Sequence, residues 1–257
     1  MVEGRPISYP LLEENESAPD PEEIRRRITE KTKMIVINSP SNPLGSVIDR
    51  KTLESIAEIA LEHDLIVLSD EAYERIIYDG LKHYSIASFP GMMERTITVF
   101  SCSKTYAMTG WRLGYAVGIP EIIREMSKLQ EHVYSHPTSI SQKAAMAAVL
   151  GPQEFVSEMV GEYDKRRKLI VRMLNEMDGV KCLMPKGAFY VFPNIKAFGL
   201  TSEDMATYLI REAKIATVPG NEFGAMGEGY LRISYAVSTE KIEEGMKRMD
   251  EALKKLK

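Results

Sequence analysis

Short apolar runs rich in β-branched residues recur along the first half of the chain, with polar segments between them. They are MIVI at 34–37, LIVLS at 65–69, TITVFS at 96–101 and LGYAVG at 113–118. Runs of this length and composition, bounded by polar turn residues, predict buried β-strands. The first half of the chain is therefore predicted to build a sheet.

The segment between the first two runs has the spacing of a helix. Its apolar residues Leu53, Ile56, Ala57, Ile59 and Ala60 fall on one face of a helix with 3.6 residues per turn. A strand, a helix and a second strand form a βαβ unit, whose strands are parallel and buried on both faces. We therefore predict an α/β protein with a mainly parallel sheet, in which the direction of the fourth strand stays open.

The pattern changes after about residue 140. SISQKAAMAAVL at 139–150 predicts an alanine-rich helix, and 152–177 predicts a long amphipathic helix with Pro152 in its first turn. Later strands are predicted near VKCLM, AFYVF, IATVP and YLRISY, with helices over 202–213 and 239–255. This mixture predicts a large domain over residues 1–146 and a smaller α+β domain over 147–257.

Composition narrows the class of protein. The 257 residues are 44% hydrophobic and 27% charged, as in soluble globular proteins, and the net charge of −4 gives no electrostatic case for nucleic acid or an anionic membrane. The two cysteines, Cys102 and Cys182, exclude a disulfide framework and favour the cytoplasm. No run approaches the ~20 apolar residues of a membrane span, and the four histidines lack metal-ligand spacing. We expect a cytoplasmic protein without a metal site.

Polar side chains follow the ends of the first three predicted strands. They are Asn38 and Asn42 in NSPSNPLG, Asp70 and Tyr73 in SDEAY, and Ser101, Ser103 and Lys104 in SCSK. Because ligands bind beyond the carboxyl ends of parallel strands, we expect these residues to share one rim.

Several of these residues, and Arg112 eight positions after Lys104, also have an ordinary structural interpretation. The asparagine-proline segment can be a turn, Asp70 a helix cap, Lys104 a solvated lysine and Arg112 an ion-pair partner. Together, however, they match what pyridoxal phosphate requires. That cofactor needs a lysine for its Schiff base, an anion for its ring nitrogen, and hydroxyls with an arginine for its phosphate.

Six segments in order resemble the class I/II aminotransferases, which are fold type I pyridoxal-phosphate enzymes. They are NSPSNPLG, SDEAYE, SCSKTYAMTGWRLGYAVG, KGAFYVF, VPGNEFG and YLRISYA, and the resemblance covers essentially the whole chain. It implies the fold type I architecture, with an incomplete large domain and a smaller C-terminal domain. It also implies an aminotransferase that moves an amino group between an amino acid and a 2-oxo acid.

The resemblance implies roles for the candidate catalytic residues. Lys104 would form the Schiff base and move the proton of the substrate Cα. Asp70 would pair with the protonated ring nitrogen, while Tyr73 and Asn42 would hydrogen-bond the ring oxygen. These four residues account for the reacting part of the cofactor.

The resemblance also implies residues that bind the phosphate and the substrate. Ser101, Ser103 and Arg112 would hold the cofactor phosphate. Arg232, in YLRISYA, would bind the substrate α-carboxylate through its planar fork.

The family pattern begins before this chain does. In relatives the preceding part supplies a backbone-amide phosphate loop, a ring-stacking aromatic and residues that reach the neighbouring subunit. The segment at 5–24, RPISYPLLEENESAPDPEEI, predicts a short strand, a polar loop and the start of a helix. This pattern is typical of the middle of a domain rather than of its beginning. We therefore expect an N-terminally truncated chain that binds the cofactor weakly and has little activity alone.

That expectation leaves several functions and assemblies open. The chain is expected to form a homodimer or to associate with a chain that supplies the missing N-terminal half. One alternative function is a non-catalytic or partner-dependent fragment. Another is a pyridoxal-phosphate β-lyase on the same fold, since small changes near the lysine set the reaction type.

Overall fold

Two separate sheets organise the chain in a computed structural model that describes residues 4–256. The strands are β1 (Met34–Asn38), β2 (Ile66–Asp70), β3 (Thr96–Ser101), β4 (Gly114–Val117), β5 (Tyr190–Val191), β6 (Val218–Pro219) and β7 (Leu231–Ser234). The helices are α1 (Pro21–Arg25), α2 (Arg50–Glu62), α3 (Cys102–Thr105), α4 (Pro120–Tyr134), α5 (Ser139–Leu150), α6 (Glu154–Asn175), α7 (Ser202–Glu212) and α8 (Thr239–Lys254). Short 3₁₀ turns join several of them.

The first sheet has the strand order β1-β2-β3-β4. The first three strands are parallel, and β4 pairs antiparallel with β3. This confirms the mainly parallel sheet and supplies the direction of the fourth strand. Asn38 lies opposite Asp70, and Asp70 lies opposite Val99, so the carboxyl ends of the parallel strands form one rim.

Helix α2 covers one face of this sheet, as its apolar spacing predicts. It begins where the Asp49 side chain accepts a hydrogen bond of 2.9 Å from the backbone N–H of Thr52. Its buried face packs into the same core as Ile35 and Ile37 of β1 and Val67 of β2. The βαβ unit is therefore confirmed.

The prediction that these strands are buried on both faces is wrong for β1. Met34 and Val36 point away from α2 and are 43% and 52% exposed. They are exposed because no described element packs over that side of the strand. The predicted strand within 5–24 is also irregular backbone, held to β1 by the Tyr9 hydroxyl, which donates to the Val36 carbonyl at 3.2 Å.

The second sheet is antiparallel, with the order β5-β7-β6. Apolar residues of α6, α7 and α8 form its core together with residues of the sheet. Tyr73, Ile76 and Tyr78, which follow β2 of the first sheet, also pack into this core. The segment after β2 therefore connects the two sheets directly.

Several predicted boundaries shift in the structure. The predicted strand near VKCLM makes only the bridge from Lys181 to Asn194, because the Asn175 side chain binds both backbone groups of Cys182. Helix α6 begins at Glu154, so Pro152 precedes it rather than occupying its first turn. Helix α4 was not predicted.

The predicted domain division between residues 146 and 147 falls inside α5 and stays a prediction. In the part of the chain that the structure describes, no helix has both the length and the apolar character needed to cross a bilayer.

Candidate active site

Lys104 lies in α3, the single helical turn that follows β3. The turn begins at Ser101, whose hydroxyl accepts a hydrogen bond of 3.2 Å from the backbone N–H of Ser103. The Lys104 Nζ is 5.4 Å from the ring centroid of Phe189 and 5.7 Å from that of Tyr73. Within residues 4–256 no hydrogen bond or ion pair engages this amine, so it is available for another partner.

Asp70 occupies the end of β2, at the rim of the sheet. One carboxylate oxygen accepts a hydrogen bond of 3.2 Å from the backbone N–H of Ala72, so this residue does organise the following turn. Its carbonyl accepts from the Asn38 amide at 3.2 Å, and the Asn38 amide oxygen accepts from the Asn42 N–H at 2.8 Å. Asn38 therefore joins two of the predicted site residues.

Tyr73 is buried, and its hydroxyl forms a 3.0 Å hydrogen bond with the hydroxyl of Tyr190. Its ring meets that of Phe189 edge to face, with the centroids 5.4 Å apart. Burial, and next the bond to Tyr190, raise the pKa of Tyr73 well above its usual value. The Tyr73 hydroxyl therefore stays protonated and can act as a donor.

Arg232 approaches the first sheet from β7 of the second sheet. Its Nη1 donates to the Asn42 side-chain oxygen at 3.0 Å. The guanidinium carbon lies 4.8 Å from the ring centroid of Tyr190 and 5.1 Å from that of Phe223. A continuous set of contacts thus runs from Lys104 through the tyrosine pair to this arginine.

The three predicted phosphate ligands lie along the β3–β4 connection. Ser101 pairs with Gly114 in the strand register, and Ser103 is buried beside it. Arg112 is exposed, with a φ of 52°, and donates to the Thr109 carbonyl at 2.9 Å. The structure brings Arg112 to the same connection as the serines but does not bond it to either of them.

Sequence reasoning gave no firm role to Tyr190, Phe189 or Asn38. All three link the predicted site residues to one another. The signals that point to them are the aromatic pair in KGAFYVF and the amide directly after β1. The tyrosine pair was beyond sequence reasoning because 117 positions separate its members.

The chemistry of this donor set fits a cofactor that carries an aldehyde, a basic ring nitrogen and a phosphate. The unpaired amine of Lys104 suits the aldehyde, and the carboxylate of Asp70 suits a protonated nitrogen. The Ser101 and Ser103 hydroxyls, at the start of α3, suit an anion. Among residues 4–256, no group of histidine, cysteine, aspartate and glutamate side chains is arranged to hold a metal ion.

Comparisons with known proteins agree with this chemistry. The family profile described as aminotransferase class I and II matches residues 1–249. The chain is 52% identical to an aspartate aminotransferase of Pyrococcus abyssi and 48% identical to an aromatic-amino-acid aminotransferase of Thermococcus litoralis. Each alignment covers 100% of this chain and 66% of the relative, so the chain spans just under two thirds of their length.

A solved structure of an aromatic aminotransferase from Pyrococcus horikoshii OT3 has the same fold. It superposes with a TM-score of 0.95 at 50% sequence identity. The superposition covers 98% of this chain and 68% of that one.

Proposed function

The chain belongs to the class I and II aminotransferases, a pyridoxal-phosphate-dependent family, and we propose that it moves an amino group between an amino acid and a 2-oxo acid. The observation that carries this proposal is the contact between the two sheets at the rim. Arg232 of the second sheet bonds Asn42, beside the strand end that bears Asp70. The arginine proposed to bind the substrate carboxylate therefore lies beside an asparagine proposed to bind the cofactor.

Pyridoxal phosphate, when bound, supplies an aldehyde that captures amines and a ring that accepts the electron pair of the substrate Cα–H bond. Asp70 would hold a proton on the ring nitrogen, which strengthens that acceptance. Tyr73 would donate its hydroxyl hydrogen to the ring oxygen, and its raised pKa keeps that hydrogen in place. Asn42 would orient the same oxygen with its amide.

Lys104 would remove and return the proton of the substrate Cα. A free amine beside the substrate Cα removes a proton there as a base and returns it as an acid. In the structure its Nζ lies 5.7 Å from the ring centroid of Tyr73 and 5.4 Å from that of Phe189, so two aromatic rings border the amine.

Other residues would bind the cofactor phosphate and the substrate α-carboxylate. Ser101, Ser103 and Arg112 would bind the phosphate through hydroxyls and a guanidinium. Arg232 would bind the α-carboxylate, with its guanidinium held over the Tyr190 ring. We propose an α-amino acid substrate and no narrower class, because the two relatives are named for aspartate and for aromatic amino acids.

We further propose that the chain works in an assembly. Its partner is either a second copy of the chain or a polypeptide that supplies the one third of the relatives' length that this chain does not match. Apolar side chains on the side of β4, α4 and α5 support this. Tyr134, Ile140 and Leu150 are 75%, 74% and 79% exposed. An apolar face of this kind usually marks an interaction site. Two buried, unpaired cysteines support the cytoplasm as its location.

Trapping the cofactor on the chain tests the function. The purified chain is mixed with pyridoxal phosphate, reduced with borohydride and mapped by peptide mass spectrometry, and we expect the label on Lys104. Amino donors with 2-oxoglutarate are then assayed for glutamate, using the chain alone and the chain mixed with the unmatched third of the Pyrococcus abyssi relative.

The control is Lys247→Ala, which removes an exposed lysine from α8 and should leave both readouts unchanged. Lys104→Ala should abolish both. A label on another lysine would overturn the assignment, and release of pyruvate and ammonia from cystathionine would indicate β-elimination instead.

A further inference from the structure

A buried carboxylate lies directly beside Asp70. Glu71 is 1% exposed, and each of its two oxygens has a partner. Oε1 accepts hydrogen bonds from the Ser69 and Ser85 hydroxyls at 2.8 and 2.7 Å, and Oε2 lies 2.7 Å from Nε2 of His83. Burying a carboxylate is costly, so such complete satisfaction indicates that the group is held in one position.

These contacts join the end of β2 to a later part of the segment between β2 and β3. Ser69 precedes Asp70 in β2, whereas His83 and Ser85 lie on the segment that leads to β3. Because Glu71 bonds all three, the backbone that carries Asp70 is held from both sides. A side chain that only filled space would not connect the end of β2 to the segment that contains His83 and Ser85.

A second carboxylate connects the same turn to α3. Glu74 Oε1 accepts a hydrogen bond of 3.2 Å from the hydroxyl of Thr105, the residue after Lys104. Its Oε2 is buried and has no hydrogen-bond partner among the described residues. Burial raises the pKa of Glu74. Between the two carboxylates lies Tyr73, whose ring faces the Lys104 amine.

We propose that Glu71 and Glu74 are positioning residues of the active site. Glu71 fixes the turn bearing Asp70 and Tyr73 against the segment that leads to β3, and Glu74 fixes the same turn against the one bearing Lys104. Within residues 4–256, neither carboxylate forms a hydrogen bond with the side chain of Asp70, Tyr73 or Lys104. They act through Ser85, His83 and Thr105. The proposal rests on the proposed function, since it assigns the purpose of this geometry to cofactor binding.

Two measurements on the full chain test the proposal with Glu71→Ala, Thr105→Val and Thr105→Ser. The first is hydrogen–deuterium exchange without cofactor. We expect amide exchange to speed up about tenfold over 69–75 in Glu71→Ala and over 101–106 in Thr105→Val, as for the loss of a hydrogen bond to a charged group. Exchange in α7 and α8 should not change. Thr105→Ser keeps the hydroxyl and should restore the wild-type rates.

The second measurement is borohydride trapping at limiting pyridoxal phosphate. We expect about tenfold less label on Lys104 in both disrupting variants, since each tenfold corresponds to about 1.4 kcal/mol. The control, Glu94→Ala, removes an exposed carboxylate from the same β2–β3 connection and should label as wild type.

The outcomes separate the two proposals. Absence of label on Lys104 in the wild type even at saturating pyridoxal phosphate would contradict the proposed function, while the exchange data would still judge the positioning role. Exchange that rises uniformly along the chain, or not at all, would overturn the positioning role. So would labelling of Lys104 equal to that of the Glu94→Ala control. If Glu71→Ala does not fold, the comparison of Thr105→Val with Thr105→Ser tests the positioning role.

Discussion

Arg232 Nη1 donates a 3.0 Å hydrogen bond to Asn42 Oδ1, joining two residues that are 190 positions apart in sequence. One lies on the second sheet and the other follows a strand of the first. The guanidinium is also held over the rings of Tyr190 and Phe223. These contacts hold the guanidinium in place, which would lower the entropic cost of binding the proposed substrate carboxylate.

Replacing Arg232 by lysine tests the importance of this planar group. The charge remains, but the fork and the ring contacts are lost, so KM for the amino acid should rise more than kcat falls. Hydrogen bonds to charged groups contribute about 1.5–3 kcal/mol, so the KM should rise roughly tenfold to a hundredfold. Steady-state kinetics of the active assembly measures both constants. Arg211→Lys on α7 is the control, and an equal KM rise for an amine without a carboxylate would contradict the role.

A second prediction concerns Gly45, three residues after Asn42. Its φ is +65°, and an added Cβ would lie 2.4 Å from Pro185 Cβ and 2.8 Å from the Gly187 carbonyl oxygen. Its own carbonyl accepts from the N–H groups of Lys186 and Gly187, both at 2.8 Å. Gly45→Ala should therefore reduce the free energy of unfolding by more than about 1 kcal/mol, because it combines strain with a backbone clash.

Gly161→Ala is the matched control for Gly45→Ala. This glycine lies within α6 and an added Cβ would meet nothing within 4 Å. Alanine should increase the free energy of unfolding there by about 0.5–1 kcal/mol, because it restricts the unfolded chain. Urea unfolding of both variants gives the comparison, and a shift in the same direction would show that crowding at Gly45 is relieved by movement.

Part of this site was predictable from sequence because parallel strands place their carboxyl ends together. The register of Asn38, Asp70 and Val99 is what that rule predicts. The antiparallel direction of β4 was not predictable, since a four-residue apolar strand has the same pattern either way. The pairing of Tyr73 with Tyr190 depends on how the two sheets pack, which no local pattern encodes.

A third prediction concerns the buried guanidinium of Arg167, whose side chain is 1% exposed. It donates to both carboxylate oxygens of Asp79 at 2.8 and 2.7 Å, and to the Pro185 carbonyl at 2.7 Å. This links α6 to the segment after β2. Asp79→Asn should lower the free energy of unfolding at pH 7 by about 1–3 kcal/mol, toward the lower end because Asp79 is half exposed.

The stabilisation that Asp79 provides should depend on pH, and the direction of this dependence follows from the pKa of its carboxyl group. Arg167, mainly through its hydrogen bonds, lowers the pKa of Asp79 in the folded state. The stabilisation is therefore present above the unfolded pKa of about 3.9 and is lost as pH falls through the lower folded pKa. The gap between wild type and Asp79→Asn should shrink below about pH 4. Asp250→Asn, which removes a surface pair with Lys254, is the control and should show little difference.

The last prediction concerns the reactivity of Cys182. Burial raises the pKa of its thiol to about 12, whereas an exposed thiol has a pKa of about 8.5. In a Cys102→Ser background, the thiolate fraction of Cys182 at pH 8 should be about a thousandfold below that of a free thiol. Disulfide-exchange labelling of the folded chain should therefore be slow and should keep rising with pH beyond 9. The same chain in denaturant should react rapidly and level off near pH 8.5, and a folded chain that levelled off there too would show that Cys182 is reached by solvent.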